Sequence, residues 1–344
     1  MWRYILWKTT LSIVALFLAT AIIYFAYVSI KGNPYASQAE SLDPAAYQAK
    51  LEAAGINDPI YVRYFNWLGG IFSGSFGRIY TQDQDMTIPE KFFPPYKTSM
   101  LVSLPAFFIG MFLGLGLGTW AGYKRGKLTD QIINGFVIFF VAVPVFVIAA
   151  LAVIIGPQVD LPTLFEENAG TSYMIKTLIL PIMVSVLISL ASWSRIMRME
   201  VANILSSDYI LAARTKGYSE WFIFRRYVLR NALYPFVSAI VYAFMAVFAS
   251  SIIIERFFNI GGTSSFMMTA ISSGEVDLVM FQTLFLLALG IFLQLISDIA
   301  QFMINPLVKA NFSSKTSPLA KIKFAMLRNK NAKLEAAAEG GKND

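Results

Sequence analysis

Residues 208–217 read DYILAARTKG, and the rest of the chain is arranged around them. They lie between two long apolar runs, in a segment too charged to cross a bilayer. Ser206, Ser207 and Asp208 offer side-chain oxygens to the open amides of a helix start. Ile210 to Arg214 are adequate helix formers, and Gly217 suits the left-handed position just past a helix end. These signals predict a helix of about two turns. Ala212 and Ala213 give it a low-profile surface that another protein can approach closely. Ser219 offers a second N-cap, from which a second helix runs toward Pro235.

The surrounding chain is that of a polytopic membrane protein. It has 344 residues, 56% apolar and only 14% charged, against roughly 25% charged in a soluble domain. With no cysteine, disulfides and thiolate metal sites are excluded. With no histidine, imidazole ligands and Ser-His-Asp or Cys-His catalysis are excluded as well. The net charge of +7 reads as basic loops held on the cytoplasmic side, not as a nucleic-acid surface.

Six runs approach the roughly 20 apolar residues a spanning helix needs: 11–30, 100–121, 132–155, 175–193, 235–254 and 278–304. The first follows Arg3 and Lys8, is longer than a signal-peptide core and does not end in small residues, so it reads as a retained span. In the second, Gly110, Gly114, Gly118 and Gly122 recur every four residues and share one face, where small side chains let another helix approach. Pro144 sits mid-way in the third and predicts a kink; Pro181 lies inside the fourth. Lys124, Arg125 and Lys127 occupy one loop. Arg195, Arg198, Arg214, Lys216, Arg225, Arg226 and Arg230 occupy the loop 194–231, whereas 156–173 has no Lys or Arg. That asymmetry predicts the basic loops and both termini inside.

The expected organisation is a first span (1–30), an extracytoplasmic insert (31–97), a five-helix core (98–305) with the loop 194–231, and a basic tail (306–344). In the insert, Asp43, Pro44 and Gly55 frame one helix. Tyr64 and Trp67 suit the interfacial anchors of an amphipathic helix at the membrane surface. The tail reads either as a basic interfacial helix or as a solubilising extension.

Several strings resemble one family. Arg195, Arg198, Asp208, Tyr209, Ala213, Arg214, Lys216 and Gly217, followed by Leu229 to Leu233 and Pro235, resemble the cytoplasmic loop of permease subunits of bacterial ATP-driven importers, in the oligopeptide/dipeptide and nickel branch. Asp58-Pro59-Ile60, Tyr64 to Leu68 and Gly74-Ser75-Phe76-Gly77 are similar to that branch's first outer segment, with Ser75 where the series has an aspartate. Glu255 to Gly262 is similar to its E-x-x-F-x-I-P-G-x-G segment, with Gly261 in place of the proline. Residues 305–309, NPLVK, resemble a weakened form of its closing D-P-R-x-R.

The resemblance implies an all-α polytopic membrane protein, with six transmembrane helices of the type-I ABC importer permease fold and an insert between the first two. Asp208, Tyr209, Ala212, Ala213, Arg214, Lys216 and Gly217 would couple to ATPase subunits. Asp58, Arg63, Trp67, Glu255, Arg256, Phe258 and Gly262 would form the outer gate or meet a binding protein. The implied partners are a second permease, two ATP-binding subunits, an extracytoplasmic peptide-binding protein and the bilayer. ATP and Mg would belong to the partner subunits, with no cofactor, metal or catalytic residue on this chain.

The sequence lacks a G-x-x-x-x-G-K-[ST] phosphate loop: Ala121 stands where the first glycine is needed, and Leu128 follows Lys127. Energy must therefore come from elsewhere. An ion-coupled secondary transporter is the alternative, but would usually bury several ionisable groups, and Asp298 is the only acid well inside a predicted span. Asp298 reads either as a transport-path group or as a structural carboxylate near the inner interface, reaching water or pairing with Arg195 or Arg198. An intramembrane hydrolase is disfavoured by the missing histidine and by the absence of a paired intramembrane aspartate motif.

Overall fold

The computed structural model describes residues 2–31, 33–39, 42–81 and 84–304, and every regular element among them is a helix. The closing motif at 305–309 and the basic tail fall outside the described residues. Helices α1 (Trp2–Lys31), α4 (Ile88–Tyr123), α7 (Thr171–Leu205) and α12 (Val276–Ile304) each contain a stretch long and apolar enough to cross a membrane. Two bent pairs raise the number of candidate spans to six. One is α5 (Leu128–Ala142) with α6 (Val145–Ile155). The other joins Glu220–Phe236, which holds α9 (Glu220–Ile223), a π turn at Phe224–Val228 and the start of α10 (Leu229–Phe257), to Ala239–Met245 further along α10.

The third span departs from the single kinked helix expected over 132–155. Val143 is extended, Pro144 caps α6 with φ −58° and ψ 139°, and the two axes diverge by 99°. Proline removes an amide donor and also drives the residue before it out of the helical region. Two consecutive residues therefore leave the helix, and the chain breaks where one lost bond would only have bent it.

The remaining long helices outrun their apolar cores. α4 starts twelve residues before the predicted span because Thr87 and Glu90 form a reciprocal capping box and Pro89 falls in the first turn, where its missing amide costs nothing. α7 continues past Trp193 to Leu205, so the first part of the basic loop is helix.

The four stacked glycines of α4 face α7. A Cβ on Gly110 or Gly114 would lie 2.6 Å from the Cβ of Ser189 or Trp193, and one on Gly122 would lie 2.8 Å from the Cβ of Val201. At Gly118 it would strike the Ser194 carbonyl. By contrast, Gly116 has nothing within 4 Å. Only hydrogen at these four positions permits so close a contact. α5 is tied to the pair by Asp130, whose carboxylate accepts from Arg198 Nε at 2.5 Å and Nη2 at 2.8 Å, and from the Gly126 amide at 2.9 Å.

α1 and α12 lie together. Near one end Lys8 forms an ion pair with Asp298; toward the other, Tyr24 and Val28 pack with Val276 and Met280. Asp298 also accepts from Gln294 at 3.2 Å. Its cationic partner is thus Lys8, not Arg195 or Arg198, because Arg198 is committed to Asp130.

In the insert, Asp43 caps α2 (Pro44–Ala53) through the Ala45 amide, and Gly55 takes φ +66° beyond its end. α3 (Ile60–Ser73) corrects the interfacial reading of Tyr64 and Trp67. Both are buried, in a cluster with Tyr24, Val28, Val276 and Met280. They occupy the helix face turned to α1 and α12, where they are packed against protein and not against the membrane surface.

Candidate coupling and translocation site

The stretch 208–217 forms α8 (Asp208–Thr215), and its end is closed by two bonds. The Gly217 amide donates to the Arg214 carbonyl at 2.9 Å and the Tyr218 amide to the Ala213 carbonyl at 3.3 Å. This paired closure requires the left-handed backbone that Gly217 supplies at φ +76°. At the other end Ser207 is the N-cap residue, yet its hydroxyl donates back to the Ile204 carbonyl instead of accepting from α8. Ser219 caps α9 by accepting from the Phe222 amide. Arg214 pairs with Glu220 at 2.8 Å on the surface, a contact that raises the guanidinium's pKa further.

α8 is two-faced, with a consequence for the alanine pair. Ile210 is fully buried and Ala213 only 4% exposed, both in the chain's own core with Val201, Ile204, Ile223 and Val228. Ala213 is therefore not part of a face open to another protein; its three-residue offset from Ile210 turns it inward. The outward residues are Asp208, Tyr209, Leu211, Ala212, Arg214 and Lys216. Beside them Tyr218, Trp221 and Phe222 are also exposed, Trp221 by 69%. Sequence reading missed this aromatic patch. Its signal is three aromatics within five residues of a segment too short to span.

The outer-segment residues divide into two groups. Asp58, Arg63 and Trp67 line a cavity of about 470 Å³, together with Tyr24, Tyr80 and Asp277. Burial pushes the Tyr80 hydroxyl far above its ordinary pKa, helped by the Asp277 charge that accepts its hydrogen bond. Asp277 and Glu275 also hold the chain at 78–81: Arg78 N–H donates to Asp277, and the Tyr80 and Thr81 amides donate to Glu275. Neither acid was singled out from sequence, because both precede the apolar run of the last span.

Glu255, Phe258 and Gly262 lie in the second group and are buried; Arg256 is exposed. Glu255 Oε2 accepts from the Ser264 and Ser265 amides at 3.0 and 2.9 Å, so its charge meets the amide-rich start of α11 (Thr263–Ser273). Ser99 of α4 donates to Glu255 Oε1 at 2.7 Å and accepts from the Thr263 amide at 2.7 Å. This junction joins α4, α10 and α11. Ser99 and Glu255 also border a cavity of about 340 Å³ between α4, α7 and α10, lined by serines 103, 185, 189 and 192 and by Trp193. Asp298 is not among its lining residues. Among the described residues no group of three acidic, His or Cys side chains can hold a metal ion.

Multiple apolar crossings, a capped helix pair joining two of them and a largely apolar cavity dotted with serines define a polytopic permease. The chain belongs to the binding-protein-dependent transport system inner membrane component family, whose description matches residues 114–310; the family's N-terminal membrane component matches residues 1–89. It is 32% identical to the oligopeptide transport system permease protein OppB of Mycoplasma genitalium, over 95% of this chain and 82% of that one. It is 28% identical to the dipeptide transport system permease protein DppB of Lactococcus lactis, over 89% and 99% of the two chains. Identity to OppB of Salmonella typhimurium is also 28%, over 90% and 100%. The chain is thus a multi-pass ABC permease component, not itself the ATPase, in a family that binds no cofactor of its own. The secondary-transporter alternative falls with that membership.

Proposed function

We propose that this permease forms one half of a peptide translocation path, completed by a second, homologous permease. Of two ATPase subunits, one docks on the outward face of α8 and the adjoining aromatic patch and the other on the second permease, and an extracytoplasmic binding protein delivers peptide to the opposite side. The observation that carries the coupling role is α8 itself. It is a short helix, closed at its end and seated on its own core by Ile210 and Ala213, and it presents Tyr209, Leu211 and Ala212 outward. Peptide as substrate is supported by full-length similarity to permeases named for oligopeptide and dipeptide transport. The loops holding Lys124 to Lys127 and α8 face the cytoplasm with both termini, as the basic residues require. ATP binding and hydrolysis in the partners then shift the paired permeases between inward-open and outward-open populations.

The test is uptake of labelled peptide by the reconstituted complex. ATP-dependent accumulation that needs the binding protein is expected; uptake driven by a proton gradient without nucleotide would refute the reading. Reporter fusions at Gly170 and Gly274 should report outside, and those at Gly126 and Gly217 inside.

A further inference from the structure

We propose that α3, within the insert, is embedded in the outer leaflet, with Tyr61, Phe65 and Phe72 lying against lipid acyl chains. The inference rests on the topology proposed above, which with the N-terminus inside puts the insert after α1 outside.

Two charged layers on α1 and α12 give the depth scale. Lys8 and Asp298 form one; Glu275 and Asp277 form the other. From Asp277 to Asp298 is 21 residues along α12, about 31 Å at the helical rise. That matches a hydrocarbon core of roughly 30 Å. The outer edge of the apolar layer therefore lies near Asp277, and Tyr24 of α1 borders the same cavity as Asp277.

α3 is fastened to α1 on the membrane side of that edge. The Tyr64 hydroxyl lies 3.2 Å from the Phe17 carbonyl, to which it donates, and 3.2 Å from the Thr20 hydroxyl. Thr20 and Phe17 are four and seven residues inward of Tyr24, or about 6 and 10 Å by the helical rise. Interfacial helices bury their apolar faces about 5–10 Å deep.

The unburied face of α3 suits that medium. Tyr61 is 58% exposed, Phe65 64% and Phe72 76%, at spacings of four and seven residues that line one side of the helix. This stripe continues an apolar surface already committed to lipid. The Tyr64 ring lies 5.9 Å from Phe25 and 5.6 Å from Phe65, and α1 exposes Leu18, Ile22 and Phe25. Arg63 instead turns to the polar cavity, so no charge need enter the acyl layer. Acyl chains are favoured over the binding protein as occupant because the hydrogen bonds to Phe17 and Thr20 place the stripe below the water boundary.

The natural chain has no cysteine, so single substitutions can be read directly in the assembled transporter in intact cells. Phe65→Cys and Phe72→Cys are compared with Asp58→Cys, using a membrane-impermeant maleimide. Labelling at 65 and 72 should be at least about tenfold slower, since a thiol in hydrocarbon neither meets the reagent nor ionises. A nitroxide at 65 should be more accessible to oxygen than to a water-soluble nickel chelate. Labelling at 65 and 72 as fast as at 58 would overturn the proposal. So would slow labelling with low accessibility to both relaxants, which marks a protein contact, or protection that appears only when the binding protein is added. If Asp58→Cys itself fails to label from outside, the sidedness is wrong and the proposal falls with it.

Discussion

Replacing Ala213 by aspartate separates two ways in which α8 could fail. Ala213 is 4% exposed and Ile210 is fully buried. Burying an isoleucine is worth about 1.5–3 kcal/mol and a methyl about 0.8 kcal/mol, so these two side chains seat α8 with roughly 3 kcal/mol. An unpaired carboxylate at 213 costs several kcal/mol in the same place. The penalty matches or exceeds the seating energy, so Ala213→Asp should lift α8 off its core while the α4–α7 pair remains. Ala212→Asp should leave α8 seated, because position 212 is exposed, and should obstruct only a partner. Hydrogen exchange of the amides 208–217 reads seating, and co-purification of the ATPases reads docking. Ala213→Asp should lose both protection and ATPase; Ala212→Asp should lose ATPase alone. Unchanged protection in Ala213→Asp would refute the inward packing. Full ATPase retention in Ala212→Asp would remove the outer face of α8 from the docking surface.

Gly118→Ala should lower detergent-solubilised thermal stability by about 1–3 kcal/mol through overpacking against Ser194, while Gly116→Ala should be close to neutral; equal effects would dispose of the close α4–α7 contact. Asp130→Ala leaves Arg198 unpaired and should cost roughly 2 kcal/mol, discounted because Arg198 keeps 26% exposure; chemical denaturation of the purified permease checks it. Glu255→Gln removes the charge facing the start of α11 and should cost about 1 kcal/mol, with faster amide exchange at 263–265; unchanged exchange would show that the carboxylate does not hold that helix. Gly217→Val forces a β-branched residue to φ +76° and should cost about 1–2 kcal/mol, read as faster exchange at position 217 and at Tyr218 and reduced uptake.

What was legible in the sequence is what depends on short-range chemistry. Asp43 with Pro44, Ser219 and Gly217 mark helix ends by side-chain geometry or backbone freedom, and each stands at the expected end. The apolar runs likewise foreshadow the long helices, and the four-residue glycine spacing the face that meets α7. What was not legible depends on which way a helix is rotated in three dimensions. Ala212 and Ala213 look alike in sequence, yet only one faces the core. Tyr64 and Trp67 suit an interfacial belt by type, and burial against α1 decides otherwise. Arg198 lies 68 residues from Asp130, Lys8 290 from Asp298, Ser99 156 from Glu255 and Arg78 199 from Asp277, and no local pattern announces a contact over such a separation. Pro144 is the intermediate case. The residue forecasts a disturbance, while the 99° break also reflects the choice the chain makes at Val143.

The glycine-faced contact between α4 and α7 has a mechanical consequence. Two rods joined along their length with no side-chain cushion resist bending far better than either alone, and act as one beam. α7 alone has 35 residues, about 52 Å at the helical rise, well beyond the roughly 30 Å of hydrocarbon it must cross. A tilt of about 5° around its centre would carry each tip by about 2 Å. If the beam moves as one, compliance sits outside it, as at the broken corner Val143–Pro144 between α5 and α6. A push on α8 would thus arrive as a tilt of the whole beam, and the far end near Gly170 would swing the opposite way.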